Sequence, residues 1–389
     1  MPTRCDPNRP LARRVIDRHE LGAWLRLLET PLVGRESARK LLAAFGSPQA
    51  VIEAPTHARR ELVGSSQATA LATYQDDVAA RVAATLAWLD AEATEPRAIV
   101  TLGDPHYPHA LLASADPPLL LYAQGRLELL QADSVAVVGS RNPTPQGHDN
   151  ARAFSSHLSH AGLTIVSGMA LGVDAAAHAG GLEGAASTIA VVGTGLDRVY
   201  PRRNLSLAHR IAAKGLIVSE YSLGTPPLPA NFPLRNRIIA GLSRGTLVVE
   251  AALQSGSLIT ARLAVEAGRE VFAIPGSIHS PLSRGCHALL KQGAKLVETA
   301  QDILEELQLT GAGASAALAT RVAPTTPAQA DDADPLLDAL GFDPVTLDAL
   351  VARTGLPASE LNVRLLGLEL EGQVARLPGH LFQRAAARG

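Results

Sequence analysis

The chain has 389 residues, a formal net charge of −2 and 47% hydrophobic residues. At roughly 100–200 residues per domain there is room for two to four domains, and the apolar fraction excludes wholesale disorder. The near-neutral balance excludes a generally basic protein, so any polyanion must be met by a local patch.

From Leu21 to Leu102 apolar residues recur at helical spacing, in LGAWLRLLE, ESARKLLAAFG and DDVAARVAATLAWLDA. Gly46 and Pro48 stop one helix, and Gly64, Ser65 and Ser66 mark another break. The segment PLVGRESARKLLAAFG is similar to a helix-hairpin-helix unit, whose turn N–H groups can face a phosphate. Leu32-Val33-Gly34 stands where such hairpins carry Gly-Val-Gly, so a small helical packing domain is the alternative. We assign 15–102 to an N-terminal helical (helix-hairpin-helix/SAM-like) domain.

From Ser134 to Leu307 the pattern changes to short apolar runs closed by glycine, with helical stretches between them. VAVVG, LTIVSG, TIAVVGTG, LIVSE, TLVVEA, EVFAIPG and AKLVE are the predicted strands. Continuous Val/Ile/Leu strands alternating with helices predict a parallel sheet covered on both faces. The fold class is α/β, a Rossmann-like, doubly wound, mostly parallel sheet over 103–307. Ligands of such sheets sit at the carboxyl ends of the strands. Residues 308–334, rich in Ala, Thr, Pro, Gly and Asp, read as a flexible linker. Two helices joined at Gly355–Pro357 and a short hairpin predict a winged helix over 335–384. Its second helix carries Glu360, Glu369 and Glu371 beside Arg364, which suits protein contact or a structural cap better than duplex DNA.

The strand ends carry the candidate chemistry. Gly139-Ser140-Arg141 offers close backbone approach, a hydroxyl and a bidentate cation to a phosphate. It is not the G-x-G-x-x-G fingerprint, and Ser167-Gly168-Met169 stands where a ribose-binding acid would be expected, so no nicotinamide cofactor is expected. Gly168 and Gly172 shape a second turn; Asp174 and His178, four apart on one helix face, lack a third metal ligand and read as loop-pinning groups. Between Asp197 and Gly245, Arg198, Arg202, Arg203, Arg210, Lys214, Arg235, Arg237 and Arg244 face only Asp197 and Glu220. Phe232, in ANFPLRNRII, is either a base-stacking platform or a plug under its loop. Ser255-Gly256-Ser257 opens a helix as another anion-friendly corner. No nucleophile, carboxylate pair or metal cluster accompanies them.

Together VAVVGSR, SGMALGVDAAAHAGGL, VVGTGLDRVYPRRN, SEYSLGTPPLPANFPLRNRIIAGLS, VVEAALQSGSLITARLAVEAGREVFAIPG and RGCHALLKQGAKLV resemble the DprA/Smf family of DNA-processing proteins, in that family's order and across the central domain. The resemblance implies a binding protein without catalytic residues or cofactor. It would bind single-stranded DNA, dimerise, and load the RecA recombinase on incoming strands in natural transformation, easing displacement of single-strand-binding protein. It implies that Gly139, Ser140 and Arg141 take a phosphate, that Phe232, Arg235, Asn236 and Arg237 line the groove, and that Gly168, Arg202, Arg203, Ser255, Gly256 and Ser257 belong to the same site. Where many relatives carry Arg or Lys this chain has Leu171, removing one candidate phosphate contact. A phosphoribohydrolase on a similar fold would carry PGGxGTxxE; the comparable turn here reads Gln254-Ser255-Gly256-Ser257.

The setting follows from absences in the sequence. Cys5 and Cys286 give neither metal-ligand spacing nor a disulfide framework, which fits a reducing cytoplasm. Met1 to Arg14 is not followed by an apolar run, so no signal peptide is expected. No stretch approaches the ~18 apolar residues of a membrane helix.

Overall fold

The computed structural model describes residues 16–308 and 335–385, apart from 74–75, 93, 279 and 341–343; the expected linker lies almost entirely outside them. Six helices come first: α1 (Arg18–Glu29), α2 (Arg35–Phe45), α3 (Pro48–Glu53), α4 (Thr56–Arg60), α5 (Ser65–Ala72) and α6 (Asp76–Asp90). Their ends follow local chemistry. The Asp17 carboxylate accepts the Glu20 N–H at 2.8 Å at the start of α1. Gly46, in the left-handed region at φ 83°, ends α2. Ser47 caps α3, whose first residue is Pro48.

The sheet then begins earlier than expected. β1 (Arg97–Thr101) leads through α7 (His109–Leu112) to β2 (Leu120–Gly125), and the two pair antiparallel. Seven strands follow: β3 (Ser134–Val138), β4 (Thr164–Ser167), β5 (Thr188–Val192), β6 (Leu216–Ser219), β7 (Gly245–Val248), β8 (Glu270–Ala273) and β9 (Lys295–Leu296). They alternate with α8 (Pro145–His160), α9 (Val173–Gly181), α10 (Leu205–Lys214), α11 (Asn231–Leu242), α12 (Gly256–Glu266) and α13 (Arg284–Lys291), and α14 (Ala300–Glu306) closes the domain. The strand order is β1-β2-β6-β5-β4-β3-β7-β8-β9, with every pair from β6 to β9 parallel. The chain winds outward from β3 to β6, then returns to β7 on the other side of β3. The topological switch point therefore lies between β3 and β7.

Both sheet faces are buried, as the unbroken apolar strands require. One face packs Ala136, Val138, Val166 and Val191 against Ile238 and Ile239 of α11 and Ala261 and Ala264 of α12. The other packs Val135, Val137 and Ile165 against Ala151, Phe154 and Leu158 of α8 and Ala176 and Ala177 of α9. The N-terminal helices share a core with Ile99, Leu119, Leu120 and Tyr122 of the β1–β2 edge. Strand β1, within the segment expected to be helical, belongs to the sheet. Strand β1 reads as part of the helical segment in sequence, because RAIVT follows a helix and has no glycine turn before it.

The C-terminal module comprises α15 (Pro335–Leu340), β10 (Val345–Thr346), α16 (Leu347–Thr354), α17 (Ala358–Leu370), β11 (Val374–Leu377) and β12 (Leu381–Arg384), with sheet order β10-β12-β11. It is the expected winged helix, and Leu336, Leu340, Leu350, Leu361, Leu365 and Phe382 give it a core of its own. No helix among the described residues is long and apolar enough to cross a membrane.

Candidate nucleic-acid interface

The carboxyl ends of β3 and β7 meet at the switch point, and the loop after β3 carries Gly139, Ser140 and Arg141. The Ser140 N–H donates to the Glu250 carbonyl at 2.7 Å, and the Val173 N–H at the start of α9 donates to the Ser140 carbonyl at 3.1 Å. Gly139 fits because a Cβ there would press on Val173 and on the Glu250 carbonyl. Gly172, at φ 78°, lets the second turn lie against the Ser140 and Arg141 backbone. Arg141 is exposed and makes no ion pair among the described residues.

Under this corner lies a buried polar layer. The Asp174 carboxylate accepts the N–H groups of Gly168 and Ala170, both at 3.2 Å, so the expected loop-pinning role holds. Burial raises its pKa, partly offset by the Arg235 charge and these hydrogen bonds. His178 goes elsewhere. The Thr188 hydroxyl donates to the Ile165 carbonyl at 2.7 Å, so the His178 Nδ1–H donates to Thr188 Oγ1 at 2.7 Å and Nε2 has no partner. Burial and the Arg235 charge push its pKa down to about 3.

Arg235 is the main departure from the sequence expectation. It is 5% exposed, and Nη1 donates to the carbonyls of Gly168, at 2.7 Å, and Val191. A Cβ at Gly168 would overlap the guanidinium, so this glycine is required by the arginine beneath it. Burial pulls the Arg235 pKa down to about 10 despite Asp174. The side chain supports the strand-end turn from inside and does not line an open groove. The sequence held the signal: Arg235 shares the helix face of Ile238, Ile239 and Leu242, three, four and seven residues on, and all four are buried. Arg237 is also occupied, with Nη2 2.6 Å from Glu220 Oε1 and Nε 2.8 Å from Asp116 Oδ2.

Of the other expected residues, Gly168 and Ser257 are buried and the rest are exposed or half-buried. Phe232 is half-buried, resting on Gly193, and its ring centroid is 5.4 Å from that of Tyr200 at an interplanar angle of 33°. Tyr200 is 47% exposed. It sits in the YPRRN stretch, but its pairing with Phe232 brings a loop onto the first turn of α11, 32 positions further along the chain, which no local pattern reveals. Arg202 and Arg203 follow it, exposed and without ion pairs among the described residues, on a 3₁₀ turn (Arg202–Asn204). The Asn204 amide anchors that turn to the carbonyls of Met169, at 2.9 Å, and Ala170. On the far side, Asn236 Nδ2 donates to the Gly256 carbonyl at 3.4 Å. The hydroxyls of Ser255 and Ser257 lie 2.6 Å apart, and the Ser255 hydroxyl caps α12. The structure thus gathers Gly139, Ser140, Arg141, Gly168, Arg202, Arg203, Phe232, Asn236, Ser255, Gly256 and Ser257 along one sheet edge.

The chain that carries this edge matches known proteins. The profile of the family described as DNA recombination-mediator protein A matches residues 98–308, and that of the DprA winged helix domain matches 320–380. The chain belongs to the DNA recombination-mediator protein A family. Protein Smf of Escherichia coli is 45% identical over 282 residues, 70% of this chain and 74% of that protein. DNA processing protein DprA of Streptococcus pneumoniae is 50% identical over 205 residues, 53% of this chain and 72% of the other. The X-ray structure of the pneumococcal protein superposes with a TM-score of 0.60 at 39% identity, covering 75% of this chain and 98% of that one. A Helicobacter pylori DprA structure, described for its single-stranded DNA binding mode, gives a TM-score of 0.50 at 32% identity, covering 55% and 96%. The family profile begins at residue 98, inside β1, which agrees with the sheet starting before the expected boundary.

Proposed function

We propose that this member of the family binds single-stranded DNA along the carboxyl edge of its sheet. The observation that carries the reading is the exposed Arg141 at the switch point, without an ion pair among the described residues, in a loop whose backbone is held by Glu250, just past β7, and by Val173 at the start of α9. Gly139, Ser140 and Arg141 take a phosphate, Arg202 and Arg203 track the backbone, and the Tyr200–Phe232 pair offers a face on which a base stacks. Gly168, Asn236, Ser255, Gly256 and Ser257 border the same track; Arg235 supports it from beneath. Contacts of this kind read charge and base planes, not sequence, so binding is sequence-tolerant and salt-dependent.

The finer reading follows the family: a cytoplasmic homodimer that delivers single strands to the RecA recombinase in natural transformation and displaces single-strand-binding protein, without catalysis of its own. Two patches in one dimer raise the effective affinity for a continuous strand.

Salt-titrated fluorescence anisotropy on single-stranded and duplex oligonucleotides tests the site. Preference for the single strand with a steep salt slope supports the proposal; no binding at low salt, or base release from a nucleoside monophosphate, overturns it. RecA ATPase on strands covered by single-strand-binding protein, with and without this protein, tests the delivery step.

A further inference from the structure

Glu250, two residues past the end of β7, has its carboxylate behind the exposed track and meets the Arg141 loop at both ends. Its carbonyl accepts the Ser140 N–H at 2.7 Å. Its carboxylate accepts from Thr144 twice, the N–H at 2.9 Å on Oε2 and the hydroxyl at 2.6 Å on Oε1. The same Thr144 hydroxyl oxygen caps α8 by accepting the Gly147 N–H at 3.0 Å. A Cβ at Gly147 would overlap the carboxylate, so the glycine makes room for it. Burial raises the Glu250 pKa against the hydrogen bonds from Thr144.

A negative charge behind an anion site weakens the anion's binding by simple Coulomb repulsion. The geometry gives the compensating role. Thr144 presents two donors, and a carboxylate can accept both; a glutamine amide offers one oxygen and sets its NH₂ against the remaining donor. We infer that Glu250 is a positioning residue for the strand-end anion site, clamping the Ser140–Thr144 loop, whose Ser140, Asn142 and Thr144 N–H groups are bonded within the protein, so that Arg141 faces the ligand in one arrangement. This rests on the proposed single-strand site.

The sign of one measurement separates a clamp from a mere charge. If Glu250 acted only through its charge, Glu250→Gln would tighten binding of an oligothymidylate. As a clamp it is expected to weaken binding by about fivefold or more, because a misplaced contact loses its directionality. The experiment uses the full chain and anisotropy at fixed salt, with wild type, Glu250→Gln, Arg141→Ala and the double variant, and thermal midpoints recorded for each. The expected result is a loss in Glu250→Gln that nearly vanishes in the Arg141→Ala background, since both changes then remove the same contact. Unchanged or tighter binding by Glu250→Gln, or an equal loss in both backgrounds, overturns the inference. If Glu250→Gln does not fold, Thr144→Val against Thr144→Ser carries the test: Val loses affinity and Ser retains it, and equal affinities overturn the clamp. Wild-type binding and the Arg141→Ala effect report on the site itself, so failure of the site and failure of the clamp read differently.

Discussion

Two arginine clusters lie on this chain, and their surroundings make them opposites. At the seam between the N-terminal helices and the sheet, Asp116 binds Arg35 at 2.7 Å, Arg237 at 2.8 Å, and Arg39. Glu220 binds Arg237 at 2.6 Å and lies 3.7 Å from Arg35. Burial pulls the Asp116 pKa upward, but hydrogen bonds and charge from Arg39, Arg237 and Arg35 outweigh it and hold it low. At the strand edge Arg141, Arg202 and Arg203 have no carboxylate partner among the described residues. The seam cations tie one layer to another, whereas the edge cations are available to a polyanion. A count of arginines cannot separate the two; what separates them is where the few nearby carboxylates fold. Arg235 is a third case, buried in the interior with Nη1 on two backbone carbonyls and Nε without a partner among the described residues.

The sharpest break of this division is Arg235→Met. Removing a buried cation leaves Asp174 buried without its opposing charge and two carbonyls without a donor, at a cost of about 3–5 kcal/mol. Urea unfolding measures it; unchanged stability with lost DNA affinity would return Arg235 to the open edge. Next is acid. His178 is neutral in the fold with its pKa at about 3, below the ordinary value near 6.5. The unfolded chain therefore binds the extra proton between these values, and stability falls as pH drops through that window. By pH 5 the loss is on the order of 2 kcal/mol, and His178→Asn, which keeps a donor near Thr188, flattens the profile in equilibrium unfolding. The seam carboxylate, held low, responds only at more acidic pH.

Arg141→Ala is expected to weaken single-strand binding more than tenfold, about 1.4 kcal/mol, with an unchanged thermal midpoint. Equal affinity in anisotropy would remove Arg141 from the site. Asp116→Asn does the reverse, costing about 1–2 kcal/mol of stability, more at low salt, while leaving single-strand affinity within twofold. A large affinity change would mean that the seam reaches the edge through α11. The smallest effect is at Leu32, 67% exposed and held at φ 71°. Leu32→Gly relieves left-handed strain and loses some chain entropy, a net gain of about 0.5 kcal/mol readable in the thermal midpoint.

The parallel strands were legible because burial on both faces demands unbroken Val/Ile/Leu runs, and glycine closes each where the backbone must turn at the ligand edge. Strand β1 was not, since RAIVT follows a helical run with only Pro96 before it, and β2, LLYAQG, pairs antiparallel with β1 and β6, outside the alternation of parallel strands and helices. Phe232, Arg202 and Arg203 were visible as residue types in an unbalanced stretch; Tyr200 and Glu250 were not, because each acts through a partner distant in sequence. The helical spacing of Arg235 with Ile238, Ile239 and Leu242 points inward, against the groove-lining role that its charge and its place among other arginines suggest.

The sequence by itself determined the doubly wound sheet, the glycine turns at its carboxyl edge and the separate winged helix, because periodicity and turn chemistry are local and one chain carries them entirely. Only the tertiary structure decided which arginines are free, which are neutralised at Asp116 and which is buried under Gly168. Charge pairing and desolvation depend on distances between segments that the fold alone brings together.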